Sequence, residues 1–182
     1  MLYTEREIKT KNGHCAVLRN ARTEDAAALI EYLKITASET PYLMREPEEV
    51  TLTLEQEEHF IQRQMESERE LMLIATMNGK HIGNCSLSSM GSFQRYAHRC
   101  SVAIALYQEY CGLGLGRQML EAVLEQAKIC GYEQAELEVS TKNENALALY
   151  KSLGFDIYGE LKHDMKYKDG SYGDTYLMVK YF

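Results

Sequence analysis

Hydrophobic and polar positions change period along this chain, and the changes predict its elements. After the turn dipeptide Asn12-Gly13, Val17-Leu18-Arg19 reads as a hairpin entering a strand. Thr23 precedes a run in which Ala26, Leu29, Ile30 and Leu33 fall on one helical face. A second helix is predicted from about Thr53, with Phe60, Ile61 and Gln64 turned inward. Between the two helices, the stretch bounded by Pro41 and Pro47 reads as a loop placed to cover a site. Leu71-Met72-Leu73-Ile74-Ala75 is an apolar strand, Asn78-Gly79 a tight turn, and residues 82–87 the hairpin partner.

The second half is more regular. Residues 100–106 are almost continuously apolar, which predicts a strand covered on both faces. They run into Cys111-Gly112-Leu113-Gly114-Leu115-Gly116-Arg117, opening a helix with Leu115, Met119, Leu120, Val123, Leu124 and Ala127 on one face. Gly131 stands where a helix ends. Ala135, Leu137 and Val139 then alternate with Glu136, Glu138 and Ser140, a half-exposed strand. Thr141-Lys142-Asn143-Glu144 has capping-box spacing before a helix carrying Ala146, Leu149, Tyr150 and Leu153, closed by Gly154. Strand signals follow at 155–158 and 176–181. No repeat, linker or shift in composition divides the chain, so residues 1–182 read as a single mixed α/β domain.

Composition narrows the function. Of 182 residues 45% are hydrophobic and 26% charged, the balance of a folded domain. Twenty Lys and Arg against 27 Asp and Glu leave a net charge of −7, the wrong sign for nonspecific nucleic-acid binding. A local backbone site can still hold a phosphate on an acidic protein. The five cysteines, Cys15, Cys85, Cys100, Cys111 and Cys130, are scattered and never spaced C-x-x-C, against a zinc site or a disulfide framework. Free thiols, a start without an apolar signal core and no long apolar stretch lead to an expected cytoplasmic location with no membrane association. His14, His59, His81 and His163 show no metal-ligand spacing and are expected at the surface, so no metal is assigned.

The strongest chemical signal is the strand, glycine-rich turn and helix over residues 100–127. Glycines allow close backbone approach, and exposed N–H groups at the helix start point toward an anion. Arg117 in the first turn adds a charge. The spacing matches neither the P-loop nor the dinucleotide fingerprint, and by itself also suits a plain tight turn.

Leu106-Tyr107-Gln108-Glu109-Tyr110-Cys111-Gly112-Leu113-Gly114-Leu115-Gly116 resembles the acetyl-CoA loop of the GNAT N-acetyltransferase family. Asn143-Glu144-Asn145-Ala146-Leu147-Ala148-Leu149-Tyr150-Lys151-Ser152-Leu153-Gly154-Phe155 is similar to that family's N-x-x-A-x-x-L-Y-x-x-x-G-F helix. Leu18-Arg19 with Ala21 and Asp25 resembles its opening strand and helix. Asp169-Gly170-Ser171-Tyr172-Gly173-Asp174 with Met178 is like the tail of many bacterial members. Two positions depart: Cys111 where the family usually has Arg or Gln, and Gln108 where Pro is frequent.

The resemblance implies a single-domain GNAT-like fold, a mixed and mostly antiparallel sheet splayed between central strands and flanked by about four helices. It implies acetyl-CoA as co-substrate and an amine acceptor, in a direct transfer, and it allows a homodimer. The diphosphate would rest on Cys111, Gly112, Gly114, Gly116 and Arg117, with Arg117 standing in for the longer polar side chain that Cys111 replaces. Backbone N–H groups near Ala105 and Leu106 would hold the acetyl carbonyl and its developing charge. Asn143 would also serve the cofactor, and Tyr150 would be the general acid for the departing thiolate. The general base stays open between His98, Glu138 and a water chain. The acceptor pocket would be shaped by residues 40–50 and 88–95. A non-catalytic acyl-CoA-binding relative is the alternative reading.

Overall fold

Asn12-Gly13 does make the first turn, Gly13 with φ of +84°, and pairs β1 (Arg6–Lys9) antiparallel with β2 (Cys15–Asn20). The structure, a computed structural model, describes residues 1–91 and 93–182. α1 (Ala26–Glu39) and α2 (Leu54–Glu66) follow, joined by a loop holding a short 3-10 turn at Pro47–Glu49. β3 (Leu71–Met77) and β4 (Lys80–Ser89) form the second hairpin, and β5 (Arg99–Leu106) leads into α3 (Leu115–Ile129). β6 (Gln134–Ser140), α4 (Glu144–Ser152), β7 (Asp156–Lys166) and β8 (Tyr172–Tyr181) complete the chain. The eight strands form one sheet in the order β1-β2-β3-β4-β5-β6-β8-β7; β5 and β6 are parallel and every other neighbouring pair is antiparallel.

Because side chains alternate across a strand, the sheet carries a core on each face. Leu71, Leu73, Val102, Leu137 and Met178 meet Leu115, Met119 and Val123 of α3, with Tyr150 of α4 in the same cluster. On the opposite face, Met72 and Ile74 of β3 meet Leu29 and Tyr32 of α1, Ile61 of α2, and Tyr107 just beyond β5. The helix ends follow local chemistry. Thr53 Oγ1 accepts the Gln56 N–H (3.2 Å) while Gln56 Oε1 accepts the Thr53 N–H (2.9 Å), a capping box worth about 1 kcal/mol. α3 and α4 both stop on left-handed glycines, Gly131 and Gly154, with the paired carbonyl bonds of that motif: Gly131 N–H to Lys128, Tyr132 N–H to Ala127, Gly154 N–H to Lys151, Phe155 N–H to Tyr150. No helix among the described residues is long and apolar enough to cross a membrane.

Several sequence expectations need correction. In α1 the buried stripe is Ala26, Leu29, Tyr32 and Thr36; Ile30 and Leu33 are half-buried. In α2 Phe60 is half-buried and Glu57 takes a fully inward place. β5 is not covered on both faces: Cys100 and Val102 are buried, but Ala103 is exposed and Ile104, Ala105 and Leu106 are half-exposed. β6 is covered more than alternation suggests, since Glu136 and Ser140 are buried with the apolar positions. The capping box at Thr141 does not form; Asn143 caps α4 instead, its Oδ1 accepting the Ala146 N–H at 3.2 Å. The last two strands are longer than their apolar signals, and Phe155 belongs to the helix cap. His81 is buried, whereas His14, His59 and His163 are exposed as expected.

Candidate active site

The under-coverage of β5 has a topological cause. β4 holds it along its length, from Ser89 opposite Cys100 to Gly83 opposite Leu106. On its other side it pairs with β6 only at Arg99, Cys100 and Ser101, opposite Gln134, Ala135 and Glu136. β6 itself continues on β8 to Ser140. The two parallel strands therefore diverge, and beyond Ser101 and Glu136 their facing edges have no strand partner. An unpaired strand edge between two covered halves of a sheet is a place for an extended ligand to lie. Gly83 permits the geometry: a Cβ there would stand 2.8 Å from the Ala105 carbonyl oxygen and 2.8 Å from Leu106 Cγ.

At the open end β5 runs into the glycine turn. A 3-10 turn at Gln108–Tyr110 precedes Cys111, and Gly112 and Gly114 have φ of +75° and +83°, values that L side chains adopt at a cost. The turn is tied down from three directions. Glu39 of α1 accepts the Gln108 N–H (2.8 Å), the Lys11 N–H donates to the Leu113 carbonyl (2.8 Å), and Gln118 exchanges two bonds with Lys9 (3.1 and 2.6 Å). Gly114 is the N-cap of α3 and offers no side chain, and the first turn has no acidic residue. The leading N–H groups of α3 thus have no capping side chain among the described residues, in contrast to the capped starts of α2 and α4.

Two cations stand near this helix start. Lys11 lays its stem over Gly114, its Cγ 3.3 Å and Cε 3.5 Å from where a Cβ would be. No sequence pattern singles out Lys11, because only the hairpin brings it to a loop a hundred residues away. Arg117 is turned along and across α3 instead, to Glu121 (3.4 Å) and to Ser152 Oγ of α4 (2.5 Å). The exposed Cys111 directs its Sγ at the Tyr107 carbonyl (3.6 Å). Gly116 sits where three elements meet, its Cβ position 3.4 Å from Leu149 of α4 and 3.7 Å from both Ile104 and Leu106 of β5. α4 is thereby brought against the open half of β5.

Tyr150 projects from α4 into the α3-side core, 7% exposed and edge-on to Phe155 at 5.9 Å. Its hydroxyl takes no partner among the described residues, yet it is not sealed off as the hydroxyls of Tyr3 and Tyr32 are. Burial pushes its pKa up to about 12, so it carries its proton throughout the neutral range.

The opposite face of the gap is polar. Arg99, Ser101, Glu136 and Glu138 all project there, away from α3. Arg99 forks onto Glu136 (2.6 and 2.7 Å), which also accepts from Gln134 (2.9 Å) and Tyr158 (3.2 Å). That hydrogen-bonding, led by Arg99, holds the Glu136 carboxyl below its ordinary pKa despite burial. Glu136 is fully engaged. Glu138, two residues on and past the last β5 pairing, is exposed and free of ion pairs among the described residues. His98 lies at the closed end, its carbonyl accepting the Glu133 (2.9 Å) and Gln134 (3.3 Å) N–H groups. Of the loops expected to shape an acceptor pocket, residues 40–50 form the connection between α1 and α2 and are tied to the β7–β8 turn by Lys168 and Glu46 (3.2 Å); in 88–95, Ser88 and Ser89 belong to β4 and Ser92 lies outside the described residues.

Comparison with known proteins gives this geometry a context. Residues 29–155 match the Acetyltransferase (GNAT) family. The chain is 26% identical to an N-alpha-acetyltransferase of Sulfurisphaera tokodaii, covering 94% of this chain and 96% of that one. It is 27% identical to the L-amino acid N-acyltransferase MnaT of Escherichia coli, where the match spans only about half of either chain, 50% and 52%. A GNAT-family acetyltransferase structure from Streptococcus pneumoniae superposes with a TM-score of 0.87 at 30% identity, covering 92% of this chain and 99% of that one. With most of the chain inside the family match and that fold shared along its length, this protein belongs to the GNAT family of acetyltransferases.

Proposed function

We propose that this protein transfers an acetyl group from acetyl-CoA directly to a primary amine, with both bound at once. The observation that carries the reading is the β5–β6 gap, open to both faces of the sheet, with the uncapped start of α3 at its mouth. Bound acetyl-CoA supplies the acetyl group as an activated thioester. The residues fit it: Cys111, Gly112, Gly114 and Gly116 present backbone to the diphosphate, where the helix dipole adds about 0.3–1 kcal/mol. Lys11 is placed to supply the side-chain charge, and Arg117 joins it on leaving Glu121 and Ser152. The free edge of β5 at Ala105 and Leu106 takes the extended arm and carbonyl. Asn143 caps α4 with its oxygen and keeps its amide donors for the ligand.

The acid and base fall on opposite faces of the gap. Tyr150, on the α4 side, donates its proton to the departing sulfur. Glu138, on the opposite side and within the diverged stretch of β6, takes the proton from the incoming amine. His98 is placed worse, at the closed end. A lysine-like amine has a pKa of about 10.4, so its reactive neutral form lies roughly 4.6 kcal/mol above the charged one at pH 7. Relieving that deficit is the base's task.

Acetyl-CoA and CoA should raise the melting temperature, whereas NAD and ATP should not; at 100-fold excess over Kd the stabilisation is about 2.7 kcal/mol. Thiol release across an amine panel then separates a catalyst from a CoA-binding relative. A shift with NAD and none with either CoA species would overturn the reading. Gly116→Val probes the loop. Its Cβ would meet only ordinary side-chain contacts, so the fold should survive, but the added bulk narrows the junction of β5, α3 and α4. Calorimetry should show acetyl-CoA affinity reduced at least about tenfold, or about 1.4 kcal/mol. Unchanged affinity in the folded variant would make the glycine a packing residue only.

A further inference from the structure

His81 is a buried histidine that the proposed transfer does not use. It follows Lys80 at the start of β4, only 8% exposed, edge-on to the rings of Tyr32 (4.6 Å) and Tyr107 (6.3 Å). Its Nε2 lies 3.1 Å from the Gly83 carbonyl oxygen, which can only accept, so the neutral ring carries its proton on Nε2. Nδ1 is then a bare acceptor, buried and without a partner among the described residues. Burial lowers the pKa to about 4, and the ring is neutral at pH 7. Asp25 and Arg19, whose charges also reach it, are bound to each other (2.7 and 2.9 Å). An unpaired buried nitrogen destabilises a core that a phenyl ring would fill without that cost. What the histidine contributes in return is the Nε2–H donor.

That donor acts at a bulge. Ala75 pairs with Gly83 and Thr76 with His81, so Ile82 is an extra residue in β4, and the His81–Gly83 bond closes the chain around it. The Ile82 carbonyl accepts the Tyr107 N–H (3.1 Å), one step beyond the last β4–β5 pair, Gly83 opposite Leu106. Tyr107 is where β5 stops and the turn toward Cys111 begins. The same end of the β3–β4 hairpin grips that turn a second time. Lys80 donates to Glu109 (3.1 Å) and stands over the rings of Tyr107 (5.6 Å) and Tyr110 (5.9 Å).

We infer that His81 is a positioning residue for acetyl-CoA: by closing the Ile82 bulge and seating Tyr107, it sets where the free edge of β5 ends and the glycine turn starts. Ala105 and Leu106 lie immediately before that point, and Cys111 and Gly112 follow shortly after it. A shift at Tyr107 therefore moves both sets of backbone groups assigned to the cofactor. His81, itself buried, acts only through Tyr107. This inference rests on the acetyltransferase reading and deepens it.

Calorimetry of acetyl-CoA binding, well below each protein's melting temperature, tests this on the wild type and two variants. His81→Phe keeps a ring among its aromatic neighbours and removes the donor, so affinity should fall at least about fivefold in the folded protein. His81→Gln places an amide N–H where the Nε2–H stood, and affinity should stay within about twofold of wild type. Amide exchange at Tyr107 should follow the same order, faster in the Phe variant and protected in the Gln variant. A histidine with only a structural role would lower the melting temperature of His81→Phe without changing the affinity of the folded protein, and that result would overturn the inference. So would a Gln variant as weak as the Phe variant, which would leave the donor no role. Should His81→Phe fail to fold, His81→Leu takes its place under the same criteria, and failure of both would make His81 a core residue only. A wild-type protein that does not bind acetyl-CoA would instead sink the underlying reading, while the order of Tyr107 exchange would still report whether His81 holds the turn.

Discussion

Glu138→Gln should lower kcat by about 10²–10³, within the range of general base catalysis, with acetyl-CoA affinity unchanged. The substitution replaces one exposed, unpaired oxygen by an amide on a strand held along its length by β8, so the fold loses nothing. The drop in rate should depend on pH in a direction that a structural defect would not produce. Below the amine's own pKa, each unit of rising pH makes about ten times more neutral acceptor available. The variant, unable to take the proton, should therefore recover rate steeply as pH rises, and the gap to wild type should close. A variant within threefold of wild type at pH 7, in an assay limited by chemistry, would return the role to water or to His98. Glu136→Gln is the informative contrast. It breaks the fork to Arg99 and leaves a partly buried guanidinium short of its partner, so it should show first as reduced stability.

That contrast also shows where the sequence was legible. Glu136 and Glu138 are the same letter in alternating positions, and nothing local separates them. The separation comes from Arg99, which is 37 residues away in sequence and one strand away in space. The gap itself was hidden for a related reason. A strand that will line a ligand is as apolar as one that will line a core, so residues 100–106 read as fully covered although Ile104, Ala105 and Leu106 wait half-exposed. Helix faces and glycine stops were legible because they depend on neighbours within four residues: all six positions expected on the inner face of α3 are buried, and Gly131 and Gly154 end their helices. Choices made by competition were less so. Thr141 and Asn143 both suit a cap, and Asn143 wins by standing directly before the first helical turn. Long-range contacts were not legible at all. Lys11 reaches Gly114 only through the first hairpin, His81 is buried by Tyr32 and Tyr107, and Gly83 looks like any strand residue until β5 presses against it.

Tyr150→Phe should reduce kcat at least about tenfold, roughly 1.4 kcal/mol of transition-state stabilisation, and leave acetyl-CoA binding nearly unchanged. On spacing alone this tyrosine is a core aromatic, four residues after Ala146 on the apolar face, and the structure does bury it against Phe155. The hydroxyl is what needs explaining. A tyrosine placed only for packing usually finds its oxygen a partner, and this one has none among the described residues without being fully shut off from solvent. Burial raises its pKa to about 12, which secures the proton at pH 7 but makes it a weaker acid. A thiol near pKa 8.5 leaves with modest help, so the contribution belongs at the low end of general acid catalysis. Removing an unpaired hydroxyl from a buried ring should not destabilise the fold, and the melting temperature should hold within a degree or two. The decisive comparison uses acyl donors with leaving thiols of different acidity. If Tyr150 delivers the proton, the variant's deficit should shrink as the leaving thiol becomes more acidic. Equal rates for Tyr150→Phe and wild type with acetyl-CoA, or a deficit that ignores the leaving group, would leave the ring as packing and move the acid to solvent.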